Sequence, residues 1–590
     1  MKRNLFILLM MACAVNTLFA QTTGKLTTSI LDGRNIDYKV GFLGNPGSWN
    51  KFEMITSVPW TEETVGQLKK LGFNTIQINL AWGTRPNDEA LNLEDVVHLS
   101  PVQNMQFPQV VELRSRPGNE AYEKRRAELR NRIELCHKAG LRTIFHFGAP
   151  YNAHAKYGDN PPNCIMDPKV TQRYELLLKT FVHDFPGVDD ILVYTYDQDA
   201  WLCSEFGSCP RCAGVPLPLR IVPFLNSLTA CWHNLSPKGR LWWEPWELSG
   251  GQVLTSVENI NPQGFGLSLH CNIAEVIATL PVDRWLKNTV TIARQRNIPA
   301  IVEYWLASPS EELETFAHFP YPLVTLRGLK AIANVPGVIG IKEYYGLNPT
   351  VEDPNLRMTS IFFKHPTISE SEALQLLAKP YGKAAKDMMD VWRLTSEGME
   401  MFPWEISWNI RRFGSRPPIH GLEAAALYGM IAHTPSWASS RKAIYMKTDN
   451  SKSDPWLIED IQMRYQVAAE RFGAALIIGN KCKGLVPGPL TRDNEKTLAD
   501  IAGMRRRTLA SAYHLKETNL ATDMRNAMTL KRDTKSMAEE LHRLMKTDLE
   551  NYHEEMAVAK NLPDWKEMEQ AIALLDKDVP LFLKKYFTGG

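Results

Sequence analysis

The chain has 590 residues, 44% hydrophobic and 22% charged, which is the composition of a globular protein and excludes a disordered, collagenous or coiled-coil reading of the whole. Lys+Arg 67 against Asp+Glu 65 leaves a formal charge of +2, without the basic excess of a nucleic-acid binder. Sixteen Trp are many, and clustered near strand ends they suit a stacking surface for a ligand.

Residues 1–20 read as an export signal: Lys2 and Arg3, an apolar run from Leu5, and small-residue cleavage after Ala20, ahead of Gln21. The alternative, lipidation at Cys13 after Ala12, cuts the apolar run short. Cleavage predicts a periplasmic or secreted protein with no further membrane-spanning stretch. Beyond the signal remain Cys136, Cys164, Cys203, Cys209, Cys212, Cys231, Cys271 and Cys482, too few for a disulfide scaffold in a chain this long.

From residue 38, short apolar runs alternate with longer amphipathic segments. Strands are predicted at Tyr38–Leu43, Thr75–Trp82, Arg142–Phe147, Ile191–Tyr196, Leu241–Trp246, Gly266–His270, Ala300–Trp305 and Val338–Tyr344. Between them helices are predicted at Thr61–Leu71, Ala121–Ala139, Pro168–Phe185, Leu219–Leu235, Val282–Arg296 and Tyr321–Asn334, with the stretch between the fifth and sixth strands unassigned. Thr61 and Asp167 are cap residues, and Gly140 and Gly187 end their helices. Eight such repeats imply parallel pairing and a closed (β/α)8 barrel over residues 21–365, its first strand at Tyr38. After Pro366 the strand pattern stops. Helical spacing over Glu370–Leu377, Gly382–Leu394, Gly421–Ala432, Pro455–Ile478, Asp493–Lys516 and Met524–Asp548 predicts an α-helical C-terminal domain over 366–590.

In such a barrel the reactive groups stand at the C-terminal ends of strands. The fourth strand ends Tyr196-Asp197-Gln198-Asp199-Ala200-Trp201, the fifth carries Trp242-Trp243-Glu244-Pro245-Trp246-Glu247, the seventh Glu303-Tyr304-Trp305, and the eighth Lys342-Glu343-Tyr344-Tyr345. Carboxylates meeting aromatics on one rim suit glycoside cleavage, which needs a carboxyl to protonate the leaving oxygen and a second to attack the anomeric carbon or activate water. The candidate acids and nucleophiles are Asp197, Asp199, Glu244, Glu303 and Glu343. Trp82, Trp201, Trp243, Trp246, Trp305 and Tyr345 are candidate sugar platforms, with His146, Glu247, His270 and Asn272 as hydrogen-bonding partners. Trp242 and Trp243 point to opposite sides of their strand, so one of the two belongs to the core.

The run Tyr196-Asp197-Gln198-Asp199, then Cys203 and Cys209-Pro210-Arg211-Cys212, with Cys164 ahead of Asp167-Pro168, resembles the fourth-strand region of family 42 β-galactosidases, within the wider retaining (β/α)8 glycosidases. It is also similar to bacterial families related to β-hexosaminidases, in which an acidic pair precedes a cysteine-rich loop. The resemblance covers about fifty residues. It implies a retaining glycosidase with Asp199 at the position of the acid/base Glu, Gln198 at that of the preceding Asn, Glu303 at that of the nucleophile, and a structural zinc on the cysteines. Asp199 is one methylene shorter than the family's Glu, so Glu244 or Glu247 is an alternative acid, and an inverting or substrate-assisted route stays open. Read without the resemblance, Cys209-x2-Cys212 with Cys164 and Cys203 supplies four thiolates for a closed zinc site, and one or two disulfides are the alternative.

The reading is an exported glycoside hydrolase acting on a carbohydrate, with no cofactor for catalysis. Its rivals are a catalytically silent glycan-binding protein and a uronic-acid-specific hydrolase resembling α-glucuronidases. The latter needs a basic residue in the pocket, for which Arg85 and Lys342 are candidates.

Overall fold

The computed structural model describes residues 36–43, 58–79, 92–107, 119–152, 163–195, 200, 202–245, 248, 250–270, 281–308, 316, 318–344, 346–402, 455–556 and 566–586. Eight parallel strands close in chain order, β1 pairing with both β2 and β8. They are β1 (Tyr38–Phe42), β2 (Thr75–Gln77), β3 (Arg142–Gly148), β4 (Asp190–Tyr194), β5 (Leu241–Glu244), β6 (Phe265–His270), β7 (Ala300–Tyr304) and β8 (Val338–Glu343). The barrel predicted from sequence is therefore present; six strands end one to five residues short of the expected limits, β6 ends where expected and β3 runs one residue beyond.

The surrounding helices are α1 (Glu62–Leu71), α2 (Asn119–Lys138), α3 (Pro168–Asp184), α4 (Leu217–Leu235), α5 (Gly250–Asn259), α6 (Arg284–Gln295), α7 (Pro322–Ala333) and α8 (Pro354–Lys364). The α5 segment is the one left unassigned above. Its Gly250-Gly251 start carries no helix signal, yet Val253 and Val257 bury one face. Local chemistry sets the helix ends. Thr61 and Thr64 form a capping box, Asp167, Asp283 and Asp353 cap their helices through side-chain oxygens, and Gly72 ends α1 at φ 103.

Side chains alternate along each strand between two cores. Outward residues join the helices in a large shell, whereas Val40, Ile144, Leu192, Trp242, Ile301 and Ile339 fill the barrel floor. Trp242 spans the floor, its ring edge-on to Tyr38 at 5.1 Å and its Nε1 donating to Asp190 at 3.3 Å. It fits because Gly266 faces it: a Cβ there would lie 2.4 Å from the indole.

The helical region continues with α9 (Glu370–Ala378), α10 (Ala385–Met401), α11 (Pro455–Cys482), α12 (Gly488–Thr529), α13 (Lys535–Met556), α14 (Lys566–Lys577) and α15 (Val579–Tyr586). The predicted break near residues 517–523 is absent. α12 runs through it and stops at Leu530, where Lys531 takes φ 55 and Arg532 N–H returns to Ala527 O, and Asp533 then accepts from Lys535 N–H ahead of α13. The predicted helix at Gly421–Ala432 lies outside the described residues.

Candidate active site

Two residues beyond the floor residues of β3, β5 and β7, the inward positions turn polar. Ile144 is followed by His146, Trp242 by Glu244 and Ile301 by Glu303, while Lys342 pairs in register with both Glu303 and Val40. Gln77 on β2 and Ser268 on β6 complete a ring of six side chains from β2, β3, β5, β6, β7 and β8. All are buried, from 0 to 2% exposed. Buried polar groups demand partners, and here they supply them to one another.

On one side, Ser268 Oγ donates to Glu303 Oε1 at 2.7 Å and Lys342 Nζ donates to the same oxygen at 2.9 Å. On the other, His146 Nε2 lies 3.3 Å from Glu244 Oε2, and its Nδ1 lies 3.4 Å from Gln77 Nε2. Asn79 brackets the His146 backbone, accepting from its N–H at 2.8 Å and donating to its carbonyl at 2.7 Å, so the β3 end is fixed in place.

The two halves form one electrostatic unit. Burial pulls the Lys342 ammonium down, but Glu303 and then Glu244 push harder and hold its pKa above the ordinary lysine value. Burial lowers the His146 pKa below the ordinary imidazole value against the opposing pull of Glu244, so the ring is neutral near pH 7. The centre thus holds two carboxyl groups, one ammonium and one neutral imidazole above an apolar floor. An arrangement of this kind can hold one carboxylate as a charged nucleophile while a second works with a histidine as a proton carrier.

Several expected site residues are placed elsewhere. Glu343 faces away from the ring and fastens loops, accepting from Leu306 N–H at 2.9 Å and Gly346 N–H at 3.0 Å, so it is not among the reacting carboxylates. Trp243 is not a sugar platform. It is fully buried in the outer shell, Nε1 donating to Thr195 Oγ1 at 3.0 Å and the ring 6.4 Å from Phe265. Both indoles of the β5 pair are therefore core, one on each side of the strand. Trp305 is 2% exposed and packed in the shell rather than open on the rim. Trp82, Asp197, Asp199, Trp201, Trp246, Glu247, Asn272 and Tyr345, with Arg85, lie outside the described residues, as does the side chain of His270.

Gln77 and Ser268 were not singled out from the sequence. Gly266, which faces Trp242 across the floor, marks Ser268 two residues on as inward; β2 offers no such marker for Gln77.

The cysteine cluster stands apart from this ring. Cys164 lies between β3 and α3, and Cys203, Cys209 and Cys212 between β4 and α4. Their four Sγ atoms all lie within 4.8 Å of one another, and all four residues are buried. Cys164 Sγ is 3.3 Å from Cys212 Sγ and 3.8 Å from Cys209 Sγ. These are far from the ~2.05 Å of a disulfide and close to the ~3.8 Å edge of a tetrahedron with ~2.3 Å zinc–sulfur bonds. Hydrogen bonds, first from Cys203, draw the Cys164 thiol down, while the bond to Cys164 pushes the Cys203 thiol up and burial pushes the Cys212 thiol up; the Met166 backbone N–H also points at the Cys164 sulfur. The donor set fits a thiophilic divalent ion with four protein ligands.

Compared with known proteins, the chain matches no protein family and no curated sequence. Solved structures are similar to it to different degrees. A GH138 enzyme targeting pectin rhamnogalacturonan II aligns over 94% of this chain and 69% of its own, with TM-score 0.57 and 10% identity. A Bacteroidetes-affiliated GH5 cellulase aligns over 58% of this chain and 95% of its own, with TM-score 0.34 and 12% identity. The GH84 protein CpGH84B aligns over 87% and 74%, with TM-score 0.37 and 10% identity. All three are glycoside hydrolases, and at 10% identity the likeness to the GH138 enzyme is one of fold alone. The resemblance to family 42 β-galactosidases rests on the residues around the fourth strand alone.

Proposed function

We propose that this protein is an exported glycoside hydrolase whose chemistry is centred on the inward polar ring. The observation that carries this reading is Glu303, at the end of β7, with one oxygen gripped by both Ser268 and Lys342 beside the Glu244–His146 pair. Two donors on a buried carboxylate favour its charged form and fix its direction, as a nucleophile requires.

In the retaining route, a Glu303 oxygen attacks the anomeric carbon as the glycosidic C–O bond breaks, and the leaving oxygen takes a proton from a second carboxyl. Water, giving its proton back to that carboxyl, then releases the sugar from Glu303. Asp199, five residues beyond the end of β4 in the sequence, is the proposed acid, with Glu244 as its alternate. A uronic-acid-specific variant of the reading needs a cation for the substrate carboxylate. Lys342 is already committed to Glu303, so that role falls to Arg85. Because the GH138 neighbour targets a pectic polysaccharide, pectic oligosaccharides and aryl glycosides are the substrates to try first.

Released sugar should be found for the wild type and lost by roughly 10⁴-fold or more in Glu303→Gln, with circular dichroism and melting temperature retained. Asp199→Asn should harm unactivated substrates by roughly 10²–10⁴-fold more than activated aryl glycosides. Glycan binding without turnover by the wild type would turn the reading into that of a silent binding protein. For export, N-terminal sequencing of the mature protein should begin at Gln21.

A further inference from the structure

The inward series on β4 has a member outside the polar ring. Leu192 fills the floor, and Tyr194, two residues on, shares its register with Gly148 on β3 and Glu244 on β5. Alternation therefore turns the Tyr194 side chain into the barrel, as it turns Thr195 outward to Trp243. Tyr194 is buried, at 1% exposed.

A glycine sets where its ring lies. A Cβ on Gly148 would stand 2.5 Å from Cε1, 2.6 Å from Cζ and 2.8 Å from the hydroxyl oxygen of Tyr194, so the phenol rests directly on bare backbone. Gly148 is not among the glycines with positive φ, so it is the space, not the backbone conformation, that calls for glycine here. Its N–H donates to Asn92 Oδ1 at 3.1 Å, and Ala149 N–H donates to Tyr194 O at 3.1 Å, which ties down the two strand ends that meet at the ring. Gly148 follows His146 by two residues toward the open end of the barrel. A ring that fills the inward space at Gly148 therefore stands on the open side of the imidazole, and the two ring centroids are 5.2 Å apart with their planes at 59°.

We propose that Tyr194 is a positioning residue for the proposed reaction, its ring roofing His146 against water from the open end of the barrel and so holding the imidazole dry beside Glu244. The consequence for turnover rests on the glycosidase reading; the roof itself does not. Burial is the largest influence on His146 and opposes its protonation. Of the charged groups that face it, Glu244 from β5 and Glu303 from β7 favour the imidazolium and Lys342 from β8 opposes it, while β2 and the residues after it bring the neutral amides of Gln77 and Asn79. Under the roof, burial prevails. Water admitted above the ring would hand control to Glu244, and the resulting imidazolium–carboxylate pair would stand in place of a group able to accept a proton.

The imidazole itself is the readout. In protein labelled with ¹⁵N-histidine, with the His146 signals assigned through His146→Gln, the wild-type ring should titrate below the ordinary imidazole range. Tyr194→Ala should raise that midpoint by about one pH unit or more and move the acidic limb of kcat/KM on an aryl glycoside to higher pH by a similar amount. Gly148→Ala, which displaces the ring while leaving Tyr194 in the chain, should shift both in the same direction, and it carries the test if Tyr194→Ala does not fold. Tyr194→Phe keeps the ring and should restore the wild-type titration and limb. An unchanged His146 midpoint in folded Tyr194→Ala or Gly148→Ala would overturn the roof. A shift in Tyr194→Phe as large as in Tyr194→Ala would overturn it too, because the effect would then belong to the hydroxyl. The titration needs no substrate, so a raised midpoint in a protein that cleaves no glycoside would uphold the roof and reject the glycosidase reading alone.

Discussion

Lys342 and Glu303 occupy neighbouring inward positions in the barrel, and removing one leaves the other as a buried charge without its partner. Lys342→Met is therefore expected to destabilise the protein by about 3–5 kcal/mol, measured by urea unfolding, and to move the acidic limb of kcat/KM to higher pH. Lys342→Met combined with Glu303→Gln should recover much of the lost stability, because the unpaired charge is gone; a double variant as unstable as the sum of the singles would argue against the pairing. His146 gives a pH dependence of opposite origin. Its folded pKa is lowered by burial, so below about pH 6.5 the unfolded chain takes up a proton that the folded one does not, and stability present at neutral pH is lost as pH falls. His146→Gln, which cannot titrate, should show a shallower fall between about pH 7 and about pH 5 than the wild type; an unchanged slope would put the neutral imidazole in doubt. Glu303 and Glu244 were legible in the sequence because a carboxylate in an apolar run is conspicuous. Ser268 and Gln77 were not, since neutral polar residues are common in strands and carry no sign of the face they occupy. Trp243 was misread for a related reason: a tryptophan count carries no direction, and direction follows only once Trp242 and Glu244 are known to face inward.

At the scale of the element, the barrel floor ties sequence to geometry through a single large side chain. Trp242 crosses the interior because Gly266 presents no Cβ to it; a Cβ would stand 2.4 Å from the ring. Gly266→Ala is expected to cost about 1–3 kcal/mol by overpacking, read from the unfolding midpoint. Combined with Trp242→Phe, which removes ring volume at the same spot, its cost should be smaller than the sum of the two. The strands were readable because apolar runs of five to eight residues recur between helices with capping residues, and the pairing order follows from parallel crossovers. The end of α12 was not readable in the same way. The segment Lys516–Met524 contains no glycine or proline, so the helix continues, and the actual stop at Leu530 depends on Lys531 entering the left-handed region, a position without the glycine that usually marks it.

Across the whole molecule, residue 365 separates two sequence patterns but not two hydrophobic cores. The shell around the barrel continues through Val391, Trp392, Phe472 and Ile501 to Ala512, whereas Ala521, Met545, Phe582 and their neighbours form a separate cluster among α12 to α15. The junction is made partly by α7, whose Arg327 pairs with Glu370 and Glu400, and partly on the rim loops of the strands that carry Glu303 and Lys342. Phe319, after β7, meets Phe472 of α11 edge-on at 5.2 Å, His318 N–H donates to Asp500 of α12, and Glu352 N–H, after β8, donates to Asp493. The helices thus brace the rim beside the polar ring rather than hang from it as an independent unit. A chain ended at residue 365 strips the apolar cover from these loops and is expected to be insoluble or to melt without a cooperative transition. A chain ended at residue 516 keeps the shared core, losing the second cluster and the last turns of α12, and should stay folded with its barrel transition intact. Phe472→Ala tests the same junction without truncation: loss of a buried aromatic should cost about 3–5 kcal/mol and lower turnover on every substrate, since it loosens the β7 loop. Cooperative melting of the 365-residue chain, or wild-type stability in Phe472→Ala, would show that the barrel stands alone and that the bracing is incidental.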